Sequence, residues 1–381
     1  MIPISFFSNL RGLIKINKYI DIESIAFKLQ FRVTTTLLFF SCLLLTTYSL
    51  TGDPISCVYD GENPILKEHV INTYCWIHST FTLSKYIDKA YGEDTHIPHP
   101  GIGHYGSSDN KTYHAYYQWV PFVLFIQAIV FYLPHALWKT WEGGKIESIT
   151  SELTTFITNE ENQQQKKINH LVDYLLKSRY SHNFYVIKYL FCELLNIMIN
   201  ITNLILLNKF LNGMFFKYGT DILTYSYEKK TELFPKVTKC SFNLFGPSGT
   251  VQKHDFLCIL ALNVLNEKNF LILWVWFMFL IVFSVLSFML YLLFLSVPYI
   301  TSRLILKRDL RNFGKMGDYF LIYLIYKNIE KFTFEKIIDT LILKMSEQDA
   351  YTNNDNINRN SCYYPHYKME EKKSMCLETK V

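Results

Sequence analysis

Residues 270–297 read FLILWVWFMFLIVFSVLSFMLYLLFLSV, 28 positions without one charged side chain. As a helix rising 1.5 Å per residue the run is about 42 Å long, against roughly 30 Å of hydrocarbon in a bilayer. It must tilt or project from the bilayer. Three further runs are long and apolar enough to cross: residues 33–50 (VTTTLLFFSCLLLTTYSL), 117–138, and 184–207 (FYVIKYLFCELLNIMINITNLILL). Half of the 381 residues are hydrophobic, and Phe and Tyr alone supply 57. That balance is heavy for a water-soluble chain. The net charge of +5 is spread thinly, without the basic stripe that binding to nucleic acid requires. The sequence therefore predicts an all-α integral membrane protein with four transmembrane helices.

Lysine and arginine near the span ends set the orientation. Residues 1–32 carry five Lys/Arg against two acids, and Arg303, Lys307, Arg308 and Arg311 follow the last span, opposed only by Asp309. Both termini are therefore expected in the cytoplasm. Loops 51–116 and 208–269 then lie outside and loop 139–183 inside. The first outer loop holds four Lys against eight Asp/Glu, as the rule asks. The second runs the other way, eight Lys against five acids, but long loops translocate regardless of charge. No small-residue cleavage site follows the first span, which is expected to be retained.

Under this topology Cys57 and Cys75 fall in the first outer loop and Cys240 and Cys258 in the second, each pair 18 residues apart. Cys42 and Cys192 lie inside spans, and Cys362 and Cys376 in the cytoplasmic tail. Two cysteines per outer loop suit disulfides on the oxidising side, and the absence of CxxC spacing argues against zinc. Four cysteines allow three connectivities, among which spacing does not choose. Bridges between the loops would make one rigid outer domain; bridges within each loop would leave the two free to move.

Tyr116, Tyr117, Gln118, Trp119, Val120 and Pro121 spell YYQWVP at the mouth of the second span. Around it stand GDPISC (52–57), YCWIHSTFT (74–82), PGIG (100–103), YHAYYQWVPF (113–122) and WKTWEGGKI (138–146). Later come FGPSGTVQKHDFLCILALNVLNEKNFLILWVWF (245–277) and MGDYFLIYLIYKNI (316–329). In this order, over roughly residues 10–345, they resemble the innexins, the gap-junction proteins of invertebrates. Two cysteines per outer loop also fit pannexins, whereas connexins are expected to have three; the YYQWVP signature points to innexins. The first ten residues and those after 346 match least.

The resemblance implies disulfides crossed between the loops, Cys57 with Cys258 and Cys75 with Cys240. It implies disulfide-braced outer loops with some β structure and a helical cytoplasmic domain. It also implies a homo-oligomeric ring of eight subunits, docked to a ring in the adjacent cell or mixed with other innexins. The expected organisation is a cytoplasmic segment 1–32, spans 33–50, 117–138, 184–207 and 270–297, a helical region 298–346 and a disordered tail 347–381. Residues 2–28 alternate apolar and basic side chains. On their own terms they form an amphipathic segment lying on the membrane surface; the family implies a short helix folded into the pore mouth as a funnel.

Within span three, Glu193, Asn196, Asn200 and Asn203 follow steps of three, four and three, so they stripe one helix face. Such groups avoid lipid and face other helices or water. Hydrogen bonds between helices are one reading, a partial pore lining the other. In span one Thr34, Thr35, Thr36, Thr46 and Thr47 either bond back to their own helix or approach the channel axis. Pro121 stands in the first turn of span two, where its missing N–H costs little, while Pro134 removes a bond to the Val130 carbonyl and is expected to bend the helix. His96, His99, His104 and His114 crowd one loop without a recognised ligand spacing. Asn110-Lys111-Thr112 is a glycosylation sequon in the first outer loop, close to span two. Asn200-Ile201-Thr202 is another, inside a span where it should be inaccessible. No catalytic constellation, cofactor motif or metal motif emerges.

The sequence thus predicts a plasma-membrane gap-junction subunit that passes ions and small molecules between adjacent cells, in contact with membrane lipid and binding no nucleic acid. The alternatives are an undocked hemichannel and a non-conducting four-span adhesion or scaffold protein.

Overall fold

A computed structural model describes residues 20–58, 67–87, 99–106, 109–154, 161–224, 233–296 and 313–361. Residues 2–19 of the segment 2–28 read as surface helix or funnel, His96, and the tail cysteines Cys362 and Cys376 lie outside the described residues. The chain forms two compact units. One comprises residues 22–143 and 185–294; the other comprises residues 1–21, 144–184 and 295–381.

The first unit is built on four long helices: α1 (Ile25–Thr51), α3 (Val120–Glu142), α6 (Asn183–Phe210) and α8 (Ala261–Ser296). Their burial is inverted relative to a water-soluble bundle. Only 17% of the apolar window of α8, the most apolar of the four, is buried. Ile272, Val275, Phe279, Val282, Leu286 and Leu290 all stand exposed on it. An apolar exterior with amides and carboxylates turned inward is what a hydrocarbon solvent selects. The chain is a multi-pass membrane protein. Each helix outruns the apolar segment that announced it. α8 begins nine residues before Phe270, because Asn263, Asn266 and Glu267 on its first turns are buried by neighbours instead of meeting water.

Local chemistry sets the helix ends. Pro121 stands in the first turn of α3, and Gly143, at φ 64°, ends it by returning its N–H to the Lys139 carbonyl. α3 continues as one helix through Pro134. α1 contains a π-helical stretch, Leu29–Thr34, where the Thr34 hydroxyl donates to the Leu29 carbonyl at 3.2 Å. Trp276 of α8 donates to that same hydroxyl at 2.9 Å, and Ser41 donates to Asn269 at 2.7 Å, so α1 and α8 are bonded at two heights. Phe131 stacks on Phe277 between α3 and α8 at 5.6 Å.

The connections α1–α3 and α6–α8 leave the bundle at the same end, since each joins two successive crossings. They merge into one antiparallel sheet, order β1-β5-β4-β2-β3. β1 (Ser56–Cys57), β2 (Thr80–Leu83) and β3 (Lys111–His114) come from the first connection, together with helix α2 (Glu68–His78). β4 (Val237–Phe245) and β5 (Val251–Ile259) come from the second, after helix α7 (Phe215–Thr224). The β4–β5 hairpin turns at Gly246-Pro247-Ser248-Gly249. Pro247 presets the turn, and Gly249 takes the φ of 79° that closes it onto the Gly246 carbonyl at 2.9 Å. Because β1 and β2 flank the β4–β5 pair, the five-stranded sheet needs both connections.

The second unit is helical: α4 (Lys145–Thr154), α5 (Glu161–Lys177), α9 (Met316–Asn328) and α10 (Lys331–Ser361). α10 runs into the polar stretch expected to be disordered from 347. No Pro or Gly interrupts it there; the first proline beyond is Pro365. Asp318 organises the start of α9. Its carboxylate pairs with His182 at 2.9 Å and accepts from the Tyr180 and Lys315 amides at 2.9 and 3.0 Å. Burial pushes its pKa up, but these bonds outweigh burial and hold it below the usual value. Asp21 ties the chain before α1 to this unit, through Lys327 and Asn328, each at 2.9 Å.

Gly317 is the closest approach in the second unit. A Cβ there would stand 2.2 Å from the His182 backbone. Gly317→Ala should therefore destabilise the protein by more than the ~1–3 kcal/mol of ordinary overpacking. Gly106→Ala, with nothing within 4 Å of the new carbon, should be near neutral. Thermal unfolding of the detergent-purified protein compares the two.

Candidate functional site: a cross-braced loop sheet and a polar helix seam

The sheet alternates its residues between two faces with the period of two that strands impose. Register pairs Cys57 with Cys258, Thr238 with Cys258, and Cys240 with Phe256. Thr238, Cys240, Phe256 and Cys258 are buried on one face. That face carries two disulfides, Cys57–Cys258 and Cys75–Cys240, spanning 201 and 165 residues. Each joins one connection to the other. In the chain-entropy account, closing a loop of that length stabilises the fold by about 5 kcal/mol for the first bridge formed. The sulfurs of Cys57, Cys75 and Cys258 lie within 4.8 Å of one another, the only grouping of metal-ligating side chains among the described residues. All three are oxidised into bridges and offer no thiolate. Cys42 and Cys192 are free.

The six residues Tyr116 to Pro121 join the sheet to α3. Tyr117 is buried against Trp76 at 4.6 Å, and Tyr116 meets Phe234 edge-on at 5.9 Å. The Gln118 amide donates to the Trp76 carbonyl, fixing the end of α2 to the start of α3. Trp119 is exposed beside Phe122, Val120 is buried, and the Pro121 carbonyl accepts from the Cys42 thiol at 3.3 Å. The motif is thus a corner: three side chains face inward to the loops, one faces outward, and a proline opens the helix.

Of the four histidines, the three described, His99, His104 and His114, do not converge on one site. The His104 carbonyl accepts from Tyr86, and His99 pairs by backbone with Ile102. Of these three, only His114 is buried, its Nε2 2.8 Å from the Thr82 hydroxyl on the neighbouring strand. Burial pushes its pKa down to about 4.

The stripe on α6 is wholly buried: Glu193, Asn196, Asn200 and Asn203 are each at most 4% exposed. Glu193 accepts from the Ser24 hydroxyl at 2.6 Å and from Tyr189 at 2.7 Å. Gln30 donates to the Asn196 carbonyl at 2.6 Å. Through the Glu193 carboxylate and the Asn196 main-chain carbonyl this face of α6 holds the beginning of α1, while the side-chain amides of Asn196 and Asn200 meet no hydrogen-bond partner among the described residues. Next to it Glu23 accepts from His135 Nδ1 at 2.5 Å, and Phe31 stacks on the imidazole at 3.8 Å. Glu23 and Ser24 were not singled out in the sequence; a carboxylate and a helix-capping serine immediately before a span were the available signal. Of the threonines singled out in span one, Thr34 and Thr36 bond back to the Leu29 and Arg32 carbonyls, the first of the two readings.

A family model described as innexin matches residues 23–345. The chain belongs to the innexin family. It is 39% identical over 356 residues to innexin inx3 of Drosophila melanogaster, covering 88% of each chain. To innexin inx2 of the same species it is 38% identical, covering 89% of this chain and 95% of that one. To innexin shaking-B, also from Drosophila melanogaster, it is 37% identical, covering 91% and 96%. This innexin's matched region starts at Glu23, so it includes the Glu23–His135 pair, the stripe, the corner motif and all four bridging cysteines.

Two outcomes follow from this geometry. An unfolded histidine titrates near pH 6.5, whereas His114 in the sheet resists protonation until about 4. Between these values the unfolded chain takes a proton that the folded sheet refuses. Stability should fall by up to about 3 kcal/mol as pH drops through that window. Hydrogen exchange of the sheet amides measures it, and His114→Gln should flatten the dependence. Replacing Cys75 or Cys240 by Ser should leave helix insertion intact and abolish coupling between paired cells; unchanged coupling in both would remove the bridges from the account.

Proposed function

We propose that eight copies of this innexin close into a ring around an aqueous pore, and that two rings from apposed cells dock through their cross-braced sheets. As an innexin the chain is a gap-junction channel subunit and no enzyme. It passes ions and small molecules, and it assembles as an oligomer. A four-helix subunit alone encloses no wide lumen, so the pore must lie between copies related by one closing interface.

The observation that carries the docking reading is the single sheet made from both connections at one end of the helices. Disulfides persist on the oxidising side of a membrane, so this end is the extracellular one. Four crossings then return both termini to the cytoplasm, together with the 139–183 loop and the second unit, in agreement with the excess of Lys and Arg in residues 1–32 and after 302. A sheet whose two halves are tied by covalent bridges presents a fixed surface, which lowers the ordering entropy lost when two rings meet.

Junctional conductance between paired cells expressing the chain is the direct test. Conductance well above that of non-expressing pairs is expected. Dye uptake and current in single cells with no coupling in pairs would mean an undocked hemichannel. Surface protein with neither would mean a non-conducting scaffold.

A further inference from the structure

The face of the loop sheet opposite the disulfides carries a cluster of cations. Register places Lys239 opposite Phe81 and Lys111 opposite Leu83, and β5 adds Lys253 and Asp255, two residues apart. All point away from the cysteine face. The segment 101–106 folds over them: the Leu83 amide donates to the Gly101 carbonyl at 2.9 Å, and Tyr105 meets Phe81 edge-on at 5.5 Å. Three ammonium groups surround the single ring of Tyr105, with Lys111, Lys239 and Lys253 Nζ at 4.2, 4.6 and 5.2 Å from its centroid.

One carboxylate, Asp255, stands among them and pairs with a single lysine. Asp255 pairs with Lys239 at 2.7 Å and accepts from the Tyr105 hydroxyl at 3.4 Å. Lys239 also donates to the Gly103 carbonyl at 3.1 Å. Lys111 and Lys253 form no ion pair with a carboxylate among the described residues; they stand against the rings of Tyr105 and Phe81. Among the described residues the cluster thus holds three ammonium groups against one carboxylate, two positive charges in excess. Burial and the Lys253 ammonium push the Lys111 pKa down, the mark of a cation held against its preference. Aromatic faces stabilise cations only modestly and do not neutralise them.

We propose that this cluster receives a carboxylate from the first outer loop of the apposed copy when two rings dock. The proposal rests on the docking reading above. What selects this occupant is charge. Loop 51–116 carries eight acids against four Lys, and loop 208–269 eight Lys against five acids. If the first loop of one copy meets the second loop of the other, a twofold axis repeats that contact with the copies exchanged, so each basic cluster then meets an acidic loop. Such pairs steer and register an encounter more than they tighten it, and they leave the pore of a single ring untouched.

Two variants test this in full-length protein: Lys111→Glu with Lys253→Glu, and Lys111→Gln with Lys253→Gln. Surface labelling and single-cell hemichannel current should match the unsubstituted chain in both. Junctional conductance in homotypic pairs should fall at least about tenfold for the Glu variant and less for the Gln variant, with Glu/unsubstituted pairs between. If the Glu variant fails to reach the surface, the Gln variant decides alone, reduced coupling supporting the proposal and normal coupling overturning it. Normal coupling in Glu/Glu pairs overturns it. Single-cell current lost in proportion to coupling also overturns it, placing the lysines in the fold or pore. Added sulfate that alters single-cell current in the unsubstituted chain but not in the Gln variant, with coupling intact, would assign the cluster to a free anion instead. Uncoupled pairs of the unsubstituted chain would refute docking itself and this proposal with it.

Discussion

In hydrocarbon there is no water to accept the hydrogen bonds of an exposed amide, and that constraint organises this molecule. It turns four segments into helices, whose backbone bonds close within themselves. It turns Glu193, Asn196, Asn200 and Asn203 inward, where Ser24 and Tyr189 bond to the Glu193 carboxylate. It also leaves Ile272, Phe279 and Leu290 free to face outward, since lipid does not penalise them. Strands, which need partners from elsewhere in the chain, are confined to the connections beyond the helix ends.

Once the strands are confined to one end, the connections become interdependent. β1 and β2 belong to the first, β4 and β5 to the second, and the sheet order interleaves them. Contacts between residues some 165 to 201 positions apart form late and at high entropic cost. Two covalent bridges at that separation shift the balance by restricting the unfolded chain. They lie on the buried face beside the strand pairing, so they stabilise the sheet without occupying its open surface.

The helices were legible in the sequence because lipid imposes a simple compositional rule, and the α6 stripe because its spacing of three and four is helical. The helix ends were less so. Asn263, Asn266 and Glu267 look like loop residues, yet tertiary burial draws them into α8. The polar stretch after 347 looked disordered, but composition alone does not end a helix that meets no Pro or Gly. The Glu23–His135 pair joins positions 112 apart, and no local period announces a contact of that range. Nor did the lysines stand out: Lys111, Lys239 and Lys253 are scattered in sequence and meet only through strand register.

That register gives the two faces of the sheet opposite duties from one rule. Cys240 and Lys239 are adjacent, so a strand must send them to opposite sides. If Cys240 faces the core to reach Cys75, Lys239 faces out to meet Tyr105 and Asp255. A slip of one residue in β4 would bury the ammonium and expose the thiol. The disulfide therefore does more than brace the sheet. By fixing the register of β4 it also fixes which charges the open face displays.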